Sequence, residues 1–332
     1  MPKLIIDWKT ELPLNVPTPR VTVVITSRNR LEEVTLGVQS CLSQTEPCEV
    51  LVYDDASSDR TTEVLQARVG AGVGNIGFRN RGFREALGDN VVSIDDDAFF
   101  SRPDTLSRIL ASIERFPEAA AFALAYMEPD ANRETIQPLA AGTNVRSYVG
   151  GADAIDRAAV LGSGGYAEIL VHQGEERDVA VRLLEGGNAI VYLSPPPIVH
   201  LNSSKRDLHR ISFYSDRCTL LLAWMRLTFP ACLVRAVVGS VQRLFYRSTW
   251  SSVCVRLPVL AAGCCGLFRF RECREPVSRR TYRKFRSPPS RGPSVMSQAE
   301  NQKYQTLSKA MRIALRESAA TFPSAFNEQQ PR

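Results

Sequence analysis

Three short apolar runs, each ending in polar or acidic residues, constrain this chain more than any other feature. RVTVVIT (20–26) runs into SRNR, CEVLVYDD (48–55) into ASSD, and NVVSI (90–94) into Asp95, Asp96 and Asp97. Continuous β-branched runs of this kind suit strands buried on both faces of a parallel sheet. Between them, LEEVTLGVQSCLSQ places Leu31, Val34, Val38 and Leu42 at helical spacing. RTTEVLQARV and the segment around RGFREAL, behind a glycine-rich loop, read as further helices. Strand, helix, strand, helix, strand predicts an open α/β sheet, whose ligands gather at the carboxyl ends of the strands. The TSRNR loop, Asp54-Asp55 and the acidic triplet therefore fall on one rim.

Adjacent carboxylates repel, and an apolar frame that excludes water strengthens the repulsion. A solvated charge run at a helix start is the ordinary reading of three aspartates. Here the run ends a buried strand, so alternate carboxylates can point to one side. Asp95 and Asp97 can then share a hard divalent cation, Mg²⁺ or Mn²⁺, of the kind that also binds substrate phosphates. Asp54-Asp55 has a capping alternative, because Ser57, Ser58 or Asp59 can cap the helix that follows. A carboxylate at that strand end can also accept the N3–H of uracil or thymine, a donor that cytosine and adenine lack.

Farther along, SRPDTLSRILASIERF carries a start signal in Ser101, Pro103 and Asp104. AAAFALAYM and AIVYL read as strands, and TNVRSYVGGADAIDRAAVLGSGGY as strand, turn and short helix. GEERDVAVRLLEGG predicts a helix with an acidic first turn, closed by Gly186-Gly187. After about residue 205 the chain reads as helical and increasingly basic. The expected divisions are a lead-in over 1–20, a catalytic domain over 21–225, a basic amphipathic helical extension over 226–285, and a linker with a terminal helix over 286–332.

Composition narrows the class. Apolar content of 44% with 23% charge is that of a globular protein rather than a disordered one. Eight cysteines without a CxxC pair read as buried or free thiols of a reducing cytosol. No secretory signal is evident at the N-terminus, Asn202-Ser203-Ser204 is an acceptor pattern without meaning in that setting, and no apolar run reaches the ~18 residues of a span. Net charge is +6, and residues 269–291 hold nine Lys or Arg against two Glu. Their arginines are not interleaved with stacking aromatics on a known motif, so nucleic acid is not the expected partner. Behind LLLAWMRLTFPACLVRAVVGSVQRLF, the run suits either in-plane docking on an anionic membrane surface or a helical lid packed on the core.

Six ordered blocks, VTVVITSRNR, EVLVYDDASSDRT, RNRGFREALGDNVVSIDDDAFF, GGADAIDRAAVLGSGGYAE, GEERDVAVRLLEGG and VH at 199–200, resemble inverting nucleotide-sugar glycosyltransferases of family 2 over about residues 20–220. The resemblance implies a GT-A, Rossmann-like α/β fold with a mixed, mostly parallel central sheet. It also implies Mg²⁺ or Mn²⁺ as cofactor, a UDP- or dTDP-sugar donor and a saccharide or lipid-linked acceptor. The setting would be cytoplasmic or peripheral on the inner face of the membrane, in cell-surface polysaccharide or glycolipid assembly. By position, Thr26, Ser27 and Arg28 would line the nucleoside pocket, Asp55 with Asp54 beside it would hold the base, and Arg79 would approach the diphosphate. Asp95 and Asp97 would be the DxD pair, one contacting the ribose and the other the metal, with Asp96 between them and His200 as a further metal ligand. The base would be Glu176, where the family carries aspartate, with Glu175 beside it and Asp178 as the alternative. GNIGFRNRG is shorter than its usual counterpart, and Ala56 stands where the family often has glycine. Because EERD departs from the pattern, a non-catalytic nucleotide-sugar-binding protein is the competing reading. A phospho-receiver lacks its later strand ending in lysine here, and a haloacid-type phosphatase is excluded by Phe99.

Overall fold

The computed structural model describes residues 18–65, 68–69, 74–129, 139–201, 208–245, 261, 263–289 and single positions between 302 and 313. The expected lead-in up to residue 17, the Asn202 pattern, the stretch 246–260 and most of the expected terminal helix lie outside the described residues. In chain order the strands are β1 (Val21–Ser27), β2 (Cys48–Asp54), β3 (Arg68–Val69), β4 (Asn90–Asp95), β5 (Ala98–Phe100), β6 (Ala119–Ala123), β7 (Tyr126–Met127), β8 (Ala152–Asp156), β9 (Ala189–Tyr192) and β10 (Ile198–His200). The helices are α1 (Leu31–Leu42), α2 (Thr61–Leu65), α3 (Gly74–Glu85), α4 (Thr105–Ile113), α5 (Arg157–Gly162), α6 (Glu175–Glu185), α7 (Leu208–Arg226), α8 (Ala231–Phe245) and α9 (Arg279–Arg286).

Seven strands form the main sheet in the order β3-β2-β1-β4-β8-β6-β9, parallel except that β8 runs against both neighbours. Alternation along β1 splits the core as a strand buried on both faces requires. Val21, Val23 and Ile25 pack with Val34 and Val38 of α1 and with Leu106 and Ile109 of α4. Val24 faces the opposite layer, with Phe78 and Phe83 of α3 and Val179 and Leu183 of α6. Three short strands make a second sheet, β5-β10-β7, on which His200 is the register partner of Ala98. That pairing decides the site, because it seats a distant histidine beside the acidic triplet.

Several sequence expectations shift. Ser101 caps nothing: α4 begins at Thr105 with Asp104 in the cap position, four residues later than the start signal. Helix α2 is described over Thr61–Leu65 and β3 over Arg68–Val69, while α3 starts earlier than expected, at Gly74. The strand expected over TNVRSYV reduces to isolated bridges at Asn144 and Val149. Leu42, assigned to the buried face of α1, is exposed. The end of α6 follows its sequence signal, since Gly187 has φ +91° and Asn188 N donates to Leu183 O at 3.0 Å.

The C-terminal elements α7 and residues 275–277 are packed on the α/β layers. Cys218, Leu221 and Met225 of α7 belong to the same apolar cluster as α3 and α6. Residues 275–277 run along the end of α7 through Glu275 N to Met225 O and Val277 N to Arg226 O, both 3.1 Å. Arg226 then reaches back to Asp178 of α6, Nε to Oδ1 at 2.7 Å, and both side chains are almost fully buried. Breaking a buried pair by removing one partner strands the other charge. Arg226→Ala is therefore expected to lower unfolding free energy by about 3 kcal/mol, the low end of the usual range because Arg182 still serves Asp178. Urea denaturation measures it.

Candidate functional site

A cleft of about 1060 Å³ opens along the rim where β1, β2 and β4 end, and α6 forms its far wall. Thr26, Ser27, Arg28, Asp55, Arg79, Asp95, Asp96, Asp97, Glu175, Glu176 and His200 all line it, so the structure brings together eleven of the residues named from sequence. Asp54 and Asp178 do not join them. Both are fully buried, and each is committed elsewhere. The Asp54 carboxylate accepts from the hydroxyls of Ser57 and Thr62, which makes it the tie that closes the DDASSD turn onto α2. Asp178 accepts from Arg182 and Arg226, an ion-pair role that removes it as a base. Asp55, one residue on, points into the cleft with Oδ2 3.6 Å from Arg28 Nη1.

Asp95 ends β4, and Asp96 and Asp97 form the turn into β5, where the sequence expected the strand's alternation to continue. Asp96 turns to Arg30, 2.7 Å away, and Arg30 also lies 3.1 Å from Asp97. Burial pushes the Asp96 carboxyl up to about 7 against the pull of Arg30. Asp95 and Asp97 turn the other way, toward His200, whose Nε2 is 3.6 Å from Asp95 Oδ2 and 3.0 Å from Asp97 Oδ1. Burial opposes charge on His200, but the surrounding carboxylates outweigh it and raise its pKa to about 11. Ligand atoms of Asp95, Asp97 and His200 all lie within 4.8 Å of one another. Two carboxylates and one imidazole are a donor set that fits a divalent cation. Glu128, which the sequence reading did not single out, lies 3.4 Å from His200 Nδ1. A carboxylate on the second nitrogen is the usual support of a metal-ligating histidine.

Arg79 ties this cluster to α6. Its buried guanidinium lies 3.6 Å from Asp95, 3.8 Å from Glu175 and 4.0 Å from Glu176, and it donates to Gly150 O. Arg79 thus reaches the cleft as a clamp between two acid groups. Burial raises the Glu175 pKa, and the Glu176 carboxylate adds to it, against the pull of Arg79. Glu175 is nearly inaccessible, whereas Glu176 faces the cleft with Oε1 3.2 Å from Gly150 N. Of the three acids at the start of α6, Glu176 is the one that is neither fully buried nor held in a salt bridge under 3 Å, and it lines the cleft.

The Gly150-Gly151 pair, also missed from sequence, is explained by space. A Cβ on Gly150 would sit 2.1 Å from Arg79 Nη1 and 2.6 Å from Glu176 Oε1, and one on Gly151 would sit 2.3 Å from the Asp95 carboxyl carbon. Gly151→Ala is expected to displace Asp95 and reduce divalent-cation affinity by at least about tenfold, comparable to disturbing a metal's supporting shell. Titration of Mn²⁺ by its paramagnetic resonance signal checks this. Ala56 takes φ +54° and Asn29 φ +56°, so the departure from glycine at position 56 is a strained one.

Residues 22–166 match the sequence model of Glycosyl transferase family 2. Over those residues, less than half of its length, the chain resembles family 2 glycosyltransferases. Its fold is of the GT-A type, a mixed α/β sheet with added C-terminal helices, and the activity of the family is glycosyl transfer. Among solved structures, residues 1–349 of Staphylococcus aureus TarS are similar in fold, with TM-score 0.55, 16% identity and coverage of 76% of this chain and 82% of that one. The same protein in complex with UDP-GlcNAc gives TM-score 0.55 and 14% identity, covering 79% and 82%. In complex with UDP it gives 0.52 and 15%, covering 80% and 91%. A search of curated proteins finds no match. None of the described helices is long and apolar enough to cross a membrane.

Proposed function

We propose that this protein is a family 2 glycosyltransferase that transfers a sugar from a UDP- or dTDP-linked donor to an acceptor hydroxyl, with inversion and dependence on a divalent cation. The observation that carries the reading is one cleft with acid groups of two kinds. Asp95, Asp97 and His200 cluster at the sheet rim, Glu176 is presented from α6, and Arg79 lies within 4.0 Å of both groups. Asp55 stands at the rim where it can accept the N3–H of uracil or thymine. Thr26, Ser27 and Arg28 line the same end, and the UDP complexes of the structurally similar TarS support a uridine donor.

A bound Mg²⁺ or Mn²⁺ would supply positive charge to the departing diphosphate. Asp95, Asp97 and His200 would hold it, and Glu128 would keep His200 in the ligating tautomer. Glu176 removes the acceptor's hydroxyl proton as the oxygen attacks the anomeric carbon. The bond from that carbon to the diphosphate oxygen breaks with its electrons leaving on the diphosphate, so the centre inverts in a single displacement. Gly150 N–H and Arg79 fix the Glu176 carboxylate in place. His172, Gln173, Arg177 and Arg210 line the same cleft as Glu176, which would receive a saccharide or lipid-linked acceptor of cell-surface polysaccharide or glycolipid assembly. The buried and free thiols among the described residues accord with a reducing compartment.

The test is a panel of UDP-, dTDP- and GDP-sugars assayed for Mn²⁺-dependent turnover, with the product's anomeric configuration read by NMR. Turnover of a uridine or thymidine donor with inverted configuration supports the proposal. Retained configuration, or preference for a guanosine donor, overturns it.

A further inference from the structure

Away from the cleft, α8 and α9 enclose a second groove of about 520 Å³. Its floor is apolar, with Leu227 and Val277 buried and Val234 and Val238 on its side. Its rim is cationic: Arg235, Arg279, Arg283 and Arg286 line it, and among the described residues no acidic one does. Beside the groove, Leu233, Val234, Val237, Val238 and Val241 turn outward at helical spacing, and Phe229 stands 68% exposed at the start of the helix. Single exposed apolar residues are ordinary on a protein surface, whereas a contiguous stripe of six marks an interaction surface. Helix α9 adds Arg280 and Lys284, so all five of its charged residues are basic.

We propose that the α8–α9 face docks this protein in the plane of a bilayer containing anionic phospholipid. An apolar stripe bordered by arginines matches acyl chains beneath a layer of phosphates, and neither half of that pattern is served by a purely aqueous or purely apolar partner. The absence, among the described residues, of a helix able to cross a membrane leaves in-plane contact as the geometry for such a surface. Arginine guanidinium groups bind phosphate oxygens in a bidentate fork, which suits Arg279, Arg283 and Arg286 on successive turns of α9. Position in the fold gives the docking a consequence. Ser278 at the head of α9 bonds Glu185 at the end of α6, and Arg226 before α8 bonds Asp178 near its start. The face is thus fixed to the helix that presents Glu176. It would hold the enzyme on the surface where a lipid-linked acceptor resides. The proposal does not depend on the donor or on the stereochemistry assigned above.

Co-sedimentation of the full chain with phosphatidylcholine vesicles, with and without phosphatidylglycerol, tests it. Pelleting with the anionic vesicles alone, weakened by added salt, is expected. Arg283→Ala and Arg286→Ala should each weaken partitioning about fivefold, from ~1 kcal/mol per basic residue near the surface. Val234→Asp with Val237→Asp should abolish it, while circular dichroism and nucleotide binding stay unchanged because both positions are exposed. The proposal is overturned if the chain stays in the supernatant with both vesicles, or pellets equally with neutral ones. It is overturned equally if the Val→Asp variant turns a vesicle-free dimer into a monomer, because the stripe then serves a second copy of the chain.

Discussion

Glu176→Gln is expected to lower turnover by about 10²–10⁴-fold while nucleotide affinity stays within about twofold of the parent, the range associated with losing a general base. Glutamine keeps the length and can still accept the Gly150 N–H, 3.2 Å from Oε1, so the wall of the cleft stays in place. What disappears is the ability to take a proton. The neighbouring acids cannot substitute. Glu175 is buried behind Arg79, and Asp178 is locked between Arg182 and Arg226. Steady-state rates and nucleotide titration on one preparation separate the two quantities. Unchanged turnover would show that Glu176 is not the base. Loss of both together would indicate that the substitution disturbed the wall.

Asp97→Asn has the second large effect. The side chain is 1% exposed, 3.0 Å from His200 and 3.1 Å from Arg30, so it holds the cluster's geometry as well as its charge. Disturbing an outer partner such as Glu128 typically lowers metal affinity ~10–100-fold. Removing a carboxylate ligand should exceed that, so Asp97→Asn is expected to weaken Mn²⁺ binding by more than about 100-fold, against about tenfold for Glu128→Gln. Turnover should fall in the same order and recover partly at high Mn²⁺ only in the Glu128 variant. Equal effects in both variants would place the cation elsewhere.

Much of this arrangement was legible in the sequence, for a local reason. β-branched runs announce buried strands, and the residues after them announce the rim, where Asp95 closes β4 and Asp96 and Asp97 make the turn that follows. His200 was legible only through family resemblance, because its meeting with the triplet depends on β10 pairing with β5 across about a hundred residues. Partners fixed by tertiary packing carried no local signal. Asp178 reads as an acid in the first turn of a helix, and nothing near it indicates that Arg226, 48 residues away, neutralises it. Asp54 looks equivalent to Asp55, yet strand alternation buries one in the turn and presents the other to the cleft. Gly150 and Gly151 read as an ordinary turn, and only the Arg79 and Asp95 side chains pressed against them show why a side chain is excluded. For Asp178, Gly150 and Gly151 the missed information is the identity of a contact distant in sequence.

The central claim is that the aspartates at the sheet rim grip a cation which in turn grips a pyrophosphate. Calorimetric titration of the protein with UDP, in Mn²⁺ and again after chelation, addresses it most directly. Affinity should fall by at least about 100-fold on chelation and return on adding Mn²⁺, and Asp97→Asn should show no such response. UDP binding of equal strength with and without the cation would contradict the account.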